Sequence, residues 1–369
     1  MAIPRVEPQR YDAQLAAKRD TVCRLLADFD PPALEVYPSP PSHYRQRCEF
    51  RLWHDGDDIY YAMFEVEHDA DGNKHKTTVR LDQYAVASDT INALMPRLRD
   101  AFLASNRLRD RLFQIEFLTT LSGEALVTLV YHRPLDEAWE AEARALEQAL
   151  GIMIIGRSRK QRLVLTRDHV WERLDVDGRS LIYQQVENSF TQPNARICEA
   201  MLAWARDVTA GSQARDLVEL YCGNGNFTVA LAENFRRVLA TEISRTSVAS
   251  ARVNLDANGV DNVHVARMSA EDFALALKGE KGGRRVADMA LEHHDFSTVL
   301  VDPPRAGLDA ASCAQISGYD RILYISCNPE TLADNLAQLT TTHRIERCAL
   351  FDQFPFTPHV ESGVWLTRR

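Results

Sequence analysis

Cys327 lies in Arg321-Ile-Leu-Tyr-Ile-Ser-Cys-Asn-Pro-Glu-Thr331, where a short apolar run meets a helix start. Ile322 to Ile325 are strand formers, and Asn328, Pro329 and Glu330 read as N-cap, first helical residue and acidic first turn. A thiol between them sits at the carboxyl end of a strand, where open parallel sheets bind ligands. It also sits beside a helix N-terminus, whose partial positive charge and free N–H groups favour a thiolate. Cys327 is therefore a candidate nucleophile, set against the usual fate of cysteine as a small buried hydrophobe.

Two other stretches bear chemistry. Gly223-Asn-Gly225 follows an expected strand, Asp216 to Tyr221, and opens a helix from Phe227 to Asn234. The next strand, Val238 to Thr241, ends at Glu242, near the spacing of about 20 residues at which an acid meets ribose hydroxyls. The loop lacks the lysine of a phosphate-binding loop and has little room for a pyrophosphate. A nucleoside without phosphates, such as S-adenosylmethionine, fits it better. Asp302-Pro303-Pro304-Arg305 then places a carboxylate and a rigid turn at the end of a further strand, on the same rim as Cys327.

These residues need a sheet to hold them together. After about Leu174 strands and helices alternate: helix Ala195 to Val208, the two strands above, helix Ser244 to Asn258, then strands at Val263 to Ala266, Phe296 to Val301 and Arg321 to Ser326. Lys278 to Arg285 is a charged, glycine-bearing loop, and Arg347 to Phe351 with Gly363 to Thr367 read as a hairpin edge. This rhythm means a doubly wound, mostly parallel sheet. The first half has a different texture. A helix is expected over Tyr11 to Phe29, then prolines, a hairpin of Tyr44 to Trp53 with Ile59 to Phe64, and a turn at Asp69-Ala-Asp-Gly-Asn73 before Thr77 to Leu81. A helix over Asp89 to Leu103 and a strand pair, Leu112 to Phe117 with Ala125 to Tyr131, complete an α+β pattern.

At 369 residues the chain holds two or three domains, with the apolar and charged fractions of an ordinary soluble protein. It shows no signal-peptide h-region and no run of membrane-spanning length, so a cytoplasmic protein is expected. Seven cysteines with no C-x-x-C pair indicate neither a disulfide framework nor a zinc or iron–sulfur site. No exposed heptad segment stands out, so a monomer is expected. The net charge of -9 argues against non-specific nucleic-acid coating, yet local basic patches remain. Gly156 to Arg167 carries five basic side chains and no acid, a phosphate-positioning strip or a solvated strand face. Arg45, Arg47 and Arg51 interleave with Tyr44, Phe50 and Trp53, and Arg107, Arg109 and Arg111 precede Phe113, a pairing of guanidinium and aromatic that suits unpaired RNA.

In combination, Phe190-Thr-Gln-Pro-Asn194, Leu220-Tyr-Cys-Gly-Asn-Gly-Asn-Phe227, Val301-Asp-Pro-Pro-Arg305 and Ser326-Cys-Asn-Pro329 resemble the RNA uracil-5-methyltransferases, and nearly the whole chain is similar to their tRNA-specific branch. Ser42-His43-Tyr44, Glu49-Phe50-Arg51 and Trp53-His-Asp-Gly-Asp-Asp58 extend the likeness into the first half. The resemblance implies a Rossmann-like, S-adenosylmethionine-dependent methyltransferase domain over 181–369, preceded by an α+β RNA-binding domain over 1–180. It implies a methyl-donor site of Gln192, Tyr221, Asn226, Glu242 and Asp302. Cys327 would add to uracil C6, and Glu361, in His359-Val-Glu361, would remove the C5 proton, with Asp352 and His359 as nearby competitors for that role. Arg51 and Phe113 match positions that hold the refolded RNA loop, although Phe113 equally suits a core strand. The resemblance further implies no metal and no iron–sulfur cluster, and as substrate the T-arm of tRNA, with uridine 54 as target and tmRNA as a further substrate. A ribosomal-RNA uridine methyltransferase, a cytosine-5 methyltransferase and a non-catalytic tRNA-remodelling protein are the alternatives.

Overall fold

Residues 3–68 and 74–369 are described by the computed structural model, so the turn expected at Asp69 to Asn73 lies outside the described residues. The alternating second half builds an eight-stranded sheet. In spatial order its strands are Glu35–Tyr37, His343–Phe351, Glu361–Arg368, Arg321–Ser326, Phe296–Val301, Asp216–Leu220, Arg237–Glu242 and Val263–Arg267. The last five of these run parallel. Leu217, Val218, Val299, Leu300, Ile322 and Leu323 are fully buried, as strands covered by helices on both faces require. The strand order reverses between Asp216–Leu220 and Phe296–Val301, which opens a crevice at their carboxyl ends.

The final two strands pair antiparallel, as expected, and Glu361–Arg368 also pairs antiparallel with the strand that leads to Cys327. They do not form the sheet edge. Glu35–Tyr37, from the first half, adds in parallel beside Ala349 to Phe351 and takes that place. Gly363 fixes the approach of this hairpin to its helix layer: a Cβ there would lie 2.6 Å from the Trp204 ring.

A second sheet of seven strands runs Lys74–Leu81, Asp58–His68, Arg47–Asp55, Leu112–Thr119, Ala125–Tyr131, Met153–Ser158 and Gln161–Val164. One face packs Phe50, Ile115, Phe117 and Leu129 against Ile91, Met95 and Leu98 of helix Asp89–Ala104 and Trp139 of helix Glu137–Leu150. That second helix has a capping Asp136 and a left-handed Gly151 at its end.

A hairpin, His169–Val176 with Arg179–Val186, straddles residue 180. Its Leu174, Val176 and Tyr183 are buried with Met201 and Trp204 in the core of the eight-stranded sheet. Helix Tyr11–Leu26 likewise buries Val22 and Leu26 with Leu332 and Leu336 of helix Pro329–Leu339. The first helix and the first strand therefore pack with the eight-stranded sheet.

Candidate active site

Strand Arg321–Ser326 ends one residue before Cys327, and helix Pro329–Leu339 begins two residues after it. Asn328 caps that helix, its side chain accepting from the Glu330 N–H at 3.2 Å, with Pro329 in the first turn. Asn328 also donates to the Arg305 carbonyl at 3.3 Å, which ties the loop that follows Asp302 to the cysteine turn. Ser326 is paired with Ser362 across the antiparallel strands, so the next residues on each side, Cys327 and Glu361, are neighbours at the rim.

The electrostatics of this rim differ from the thiolate-favouring site expected at a helix start. Burial, then the fields of Glu361 and Asp302, push the half-buried Cys327 thiol up to about 11, outweighing the Arg305 guanidinium that lowers it. Glu361 is 5% exposed, and burial followed by the field of Asp302 raises its carboxyl well above the usual range. Burial raises Asp302 itself to about 7. In the free protein Cys327 therefore holds its proton near neutrality, and the neighbouring Glu361 is displaced in the same direction.

Of the two competitors for the base, Asp352 is engaged elsewhere and His359 stands on the solvent side of the thiol. Asp352 is fully buried, accepting from Lys18 at 2.6 Å and from Gln14 at 2.8 Å. His359 lines an outer cleft and has its pKa lowered by burial, then by the charges of Arg305 and Lys18. This cleft, about 930 Å³, runs from Arg5, Arg10 and Lys18 on the N-terminal segment to Arg305 and Cys327. It is the approach to the thiol from solvent.

On the inner side a narrow cavity is lined by Gln192, Tyr221, Asn226 and Asp302, with Tyr183, Phe190 and Glu219 around them. Four of the five expected donor-site residues thus share one wall. The fifth, Glu242, stands behind the glycine loop, where its carboxylate accepts from the Gly223 N–H at 3.1 Å and the Ser244 N–H at 2.7 Å. An ionised carboxylate has about four acceptor sites, so ribose hydroxyls remain within its capacity. Tyr221 is held at a left-handed φ of 63°, and Gly225 at 81°, where a Cβ would meet Ala251 at 3.3 Å. Asn226 is fixed through Cys198 Sγ at 3.4 Å.

The cavity lining contains two carboxyl groups, Glu219 and Asp302, and among the described residues no lysine or arginine. Glu219 is 1% exposed, accepts from Thr228 Oγ1 at 2.7 Å, and is raised to about 8 by burial. Such a lining suits a cation and disfavours phosphates, which fits the sulfonium and ammonium of S-adenosylmethionine. Gln353, fully buried, donates to Gln192 Oε1 at 2.5 Å while its own Oε1 has no hydrogen-bond partner. Gln353, Glu219 and Lys18 escaped the sequence reading. Lys18 and Gln14, one helical turn apart on a polar-looking helix, were its one detectable signal.

Arg51 and Phe113 meet on the smaller sheet, far along the chain from the thiol, with the guanidinium 3.9 Å from the ring centroid. Phe113 stands at an irregularity in strand pairing between Leu112 and Gln114 and stacks on His132 at 4.0 Å, so it is not a core residue. The basic strip of residues 156–167 is largely neutralised: Arg157 and Arg162 pair with Glu187, and Arg167 with Glu124. Among the described residues no cluster of side chains could hold a metal ion, and no helix is long and apolar enough to cross a membrane.

Residues 10–369 match the family model described as tRNA (uracil-5-)-methyltransferase. The chain is 71% identical over 369 residues to a tRNA/tmRNA (uracil-C(5))-methyltransferase of Chromohalobacter salexigens, covering 100% of this chain and 98% of that one. It is 55% identical to a protein of the same name from Stutzerimonas stutzeri, covering 100% of both. The solved Pyrococcus abyssi tRNA (uracil-54, C5)-methyltransferase, in complex with S-adenosyl-L-homocysteine, shares the fold at a TM-score of 0.68 and 24% identity, over 97% of this chain and 83% of that one. Because the family match spans both sheets and the relatives align along essentially their full lengths, the chain belongs to the S-adenosylmethionine-dependent tRNA (uracil-5-)-methyltransferase family.

Proposed function

We propose that the chain methylates C5 of uridine 54 in the T-loop of tRNA, and that tmRNA, named together with tRNA in its relatives, is a second substrate. One observation carries this reading. Cys327 and Glu361 are neighbours at a rim with a basic cleft outside and a cation-suited cavity inside, and Asp302 lines that cavity while acting on both. The smaller sheet, with Arg51 and Phe113, is the RNA-recognition body, and the cytoplasm, as a monomer, is the setting in which such an enzyme meets tRNA.

Uracil C5 is too weakly nucleophilic to be methylated unaided. As a thiolate, Cys327 bonds to C6, and the electrons of the C5–C6 double bond shift toward O4, leaving C5 an enolate-like carbon. Gln192, Tyr221, Asn226, Glu242 and Asp302 would hold S-adenosylmethionine, whose positively charged sulfur would supply the methyl group and leave as the neutral thioether S-adenosyl-L-homocysteine. C5 then carries both a methyl group and its original proton. Glu361 takes that proton, the double bond re-forms, and the Cys327–C6 bond breaks to release the thiolate. A raised pKa suits Glu361 to this task, because a more basic carboxylate accepts a carbon-bound proton more readily. Asp302, once paired with a cation, stops raising the thiol. The target base has to turn out of its loop, and Phe113, by stacking, and Arg51, by phosphate contact, hold the refolded loop.

Intact-protein mass spectrometry tests this after mixing the protein with S-adenosylmethionine and a T-arm stem-loop carrying 5-fluorouridine at the target position. Fluorine leaves Glu361 no proton to remove, so a methylated adduct on Cys327 should persist. Tight RNA binding without an adduct would eliminate the covalent mechanism and favour a remodelling protein.

A further inference from the structure

We propose that Gln353 is a positioning residue for the methyl donor: it holds the Gln192 side chain so that the Gln192 NH2 group, and not its carbonyl, faces the cavity to receive the donor's α-carboxylate. The proposal rests on the donor site of the functional reading above and deepens it.

Gln353 follows strand His343–Phe351, directly after Asp352, which accepts from Lys18 and Gln14. Its main chain is held on both sides. The Gln353 N–H donates to the Phe351 carbonyl at 2.8 Å, and its own carbonyl accepts from Asn194 Nδ2 at 3.5 Å. Gln192 is pinned by its neighbours: the Pro193 carbonyl accepts from the Gln46 N–H at 2.7 Å, and Asn194 caps helix Ala195–Val208. The two side chains then meet, Gln353 Nε2 donating to Gln192 Oε1 at 2.5 Å.

That bond distinguishes the two ends of Gln192. With its oxygen turned to Gln353, the NH2 end is the one a ligand in the cavity meets. The reverse pairing would leave the NH2 of the fully buried Gln353 without an acceptor, and buried N–H groups go unpaired more rarely than carbonyl oxygens. The other side-chain amides around the cavity are not oriented in this way. Gln185 and Asn224 have no side-chain hydrogen-bond partner among the described residues, and Asn226 meets Cys198 Sγ with its oxygen at 3.5 Å and its nitrogen at 3.4 Å alike.

S-adenosylmethionine brings two cationic groups and one anionic group. Glu219 and Asp302 suit the cations, but the lining holds no lysine or arginine for the α-carboxylate, which is left to N–H donors. An amide free to turn would present its oxygen to that carboxylate as readily as its NH2. Gln353 removes this freedom although its own Oε1 is buried without a partner, a loss of stability that a methionine of similar length would not carry.

That substitution supplies the test. Isothermal titration calorimetry without RNA compares S-adenosylmethionine with decarboxylated S-adenosylmethionine, which keeps both cationic groups and lacks the carboxylate. Gln353→Met should weaken binding of the first roughly tenfold and change that of the second by less than about twofold, with no loss of thermal stability. In a Gln192→Ala background, Gln353→Met should change neither affinity further. An equal loss for both ligands overturns the proposal, since Gln353 would then only support the cavity wall, and unchanged affinity for both overturns it too. If the unaltered protein binds neither S-adenosylmethionine nor S-adenosyl-L-homocysteine, it is the functional reading that fails, and this proposal with it.

Discussion

Cys327 and Glu361 place the same demand on their shared surroundings, and those surroundings oppose it. In the proposed mechanism the thiol has to lose a proton to attack and the carboxyl has to lose one to act as a base, yet burial and Asp302 shift both groups toward keeping theirs. Because Cys327 is raised from 9.0 to about 11, the thiolate fraction of the free protein should keep climbing as pH passes the ordinary thiol range. Iodoacetamide labelling of Cys327 should therefore rise up to about pH 11, and at neutral pH run about 100-fold slower than an ordinary thiol. A labelling midpoint at or below 9 would contradict this. Glu361→Gln should lower turnover on ordinary uridine roughly 100- to 10,000-fold while the methylated adduct on Cys327 accumulates. Gel-shift under denaturing conditions measures that adduct, and its absence would move the base elsewhere. Cys327 and its cap were legible in the sequence because strand, cap and helix start are contiguous. The direction of its titration was not, since burial dominates it and Glu361 and Asp302, which add to it, arrive from distant parts of the chain.

At the scale of elements, the helix Tyr11–Leu26 acts on the loop that leads to Glu361. Lys18 donates to Asp352 and to the Phe354 carbonyl, Gln14 Oε1 accepts from the Phe356 N–H at 3.2 Å, and Tyr44 donates to the Pro355 carbonyl at 3.0 Å. Lys18 and Asp352 are 8% and 0% exposed, so their attraction is unscreened but their desolvation is costly. Lys18→Met should destabilise the protein by about 3–5 kcal/mol in denaturant unfolding, because it strands a buried carboxylate. Adding Asp352→Asn should recover part of that loss, whereas simple additivity would deny the pairing. The helix itself was legible from its apolar spacing, and the parallel strands from their apolar runs. Its docking partner was not, because Asp352 lies more than 300 residues away and a buried lysine reads in sequence as a solvated one.

Across the whole molecule, the two halves of the chain are interleaved. The α+β and doubly wound patterns were readable from the alternation of element types, while the placing of Glu35–Tyr37 was not, since three residues carry no periodicity. That short strand covers the edge formed by His343–Phe351, and Glu35 also accepts from Arg347 at 2.8 Å. Deleting residues 1–40 should therefore bare an apolar strand edge and strand Asp352 without Lys18, giving aggregated protein on size-exclusion chromatography. A monodisperse, active product would show that the catalytic sheet closes without it.

The same pairing sets a timetable for synthesis. Glu35 leaves the ribosome ahead of its partner Arg347, which lies 312 residues further along the chain. At roughly 5–20 residues per second the first strand waits about 15–60 s for the strand it pairs with. Through that interval Val22, Leu26 and Val36 have no core to enter. This segment is made long before it can dock, and a chaperone has that interval in which to compete for it.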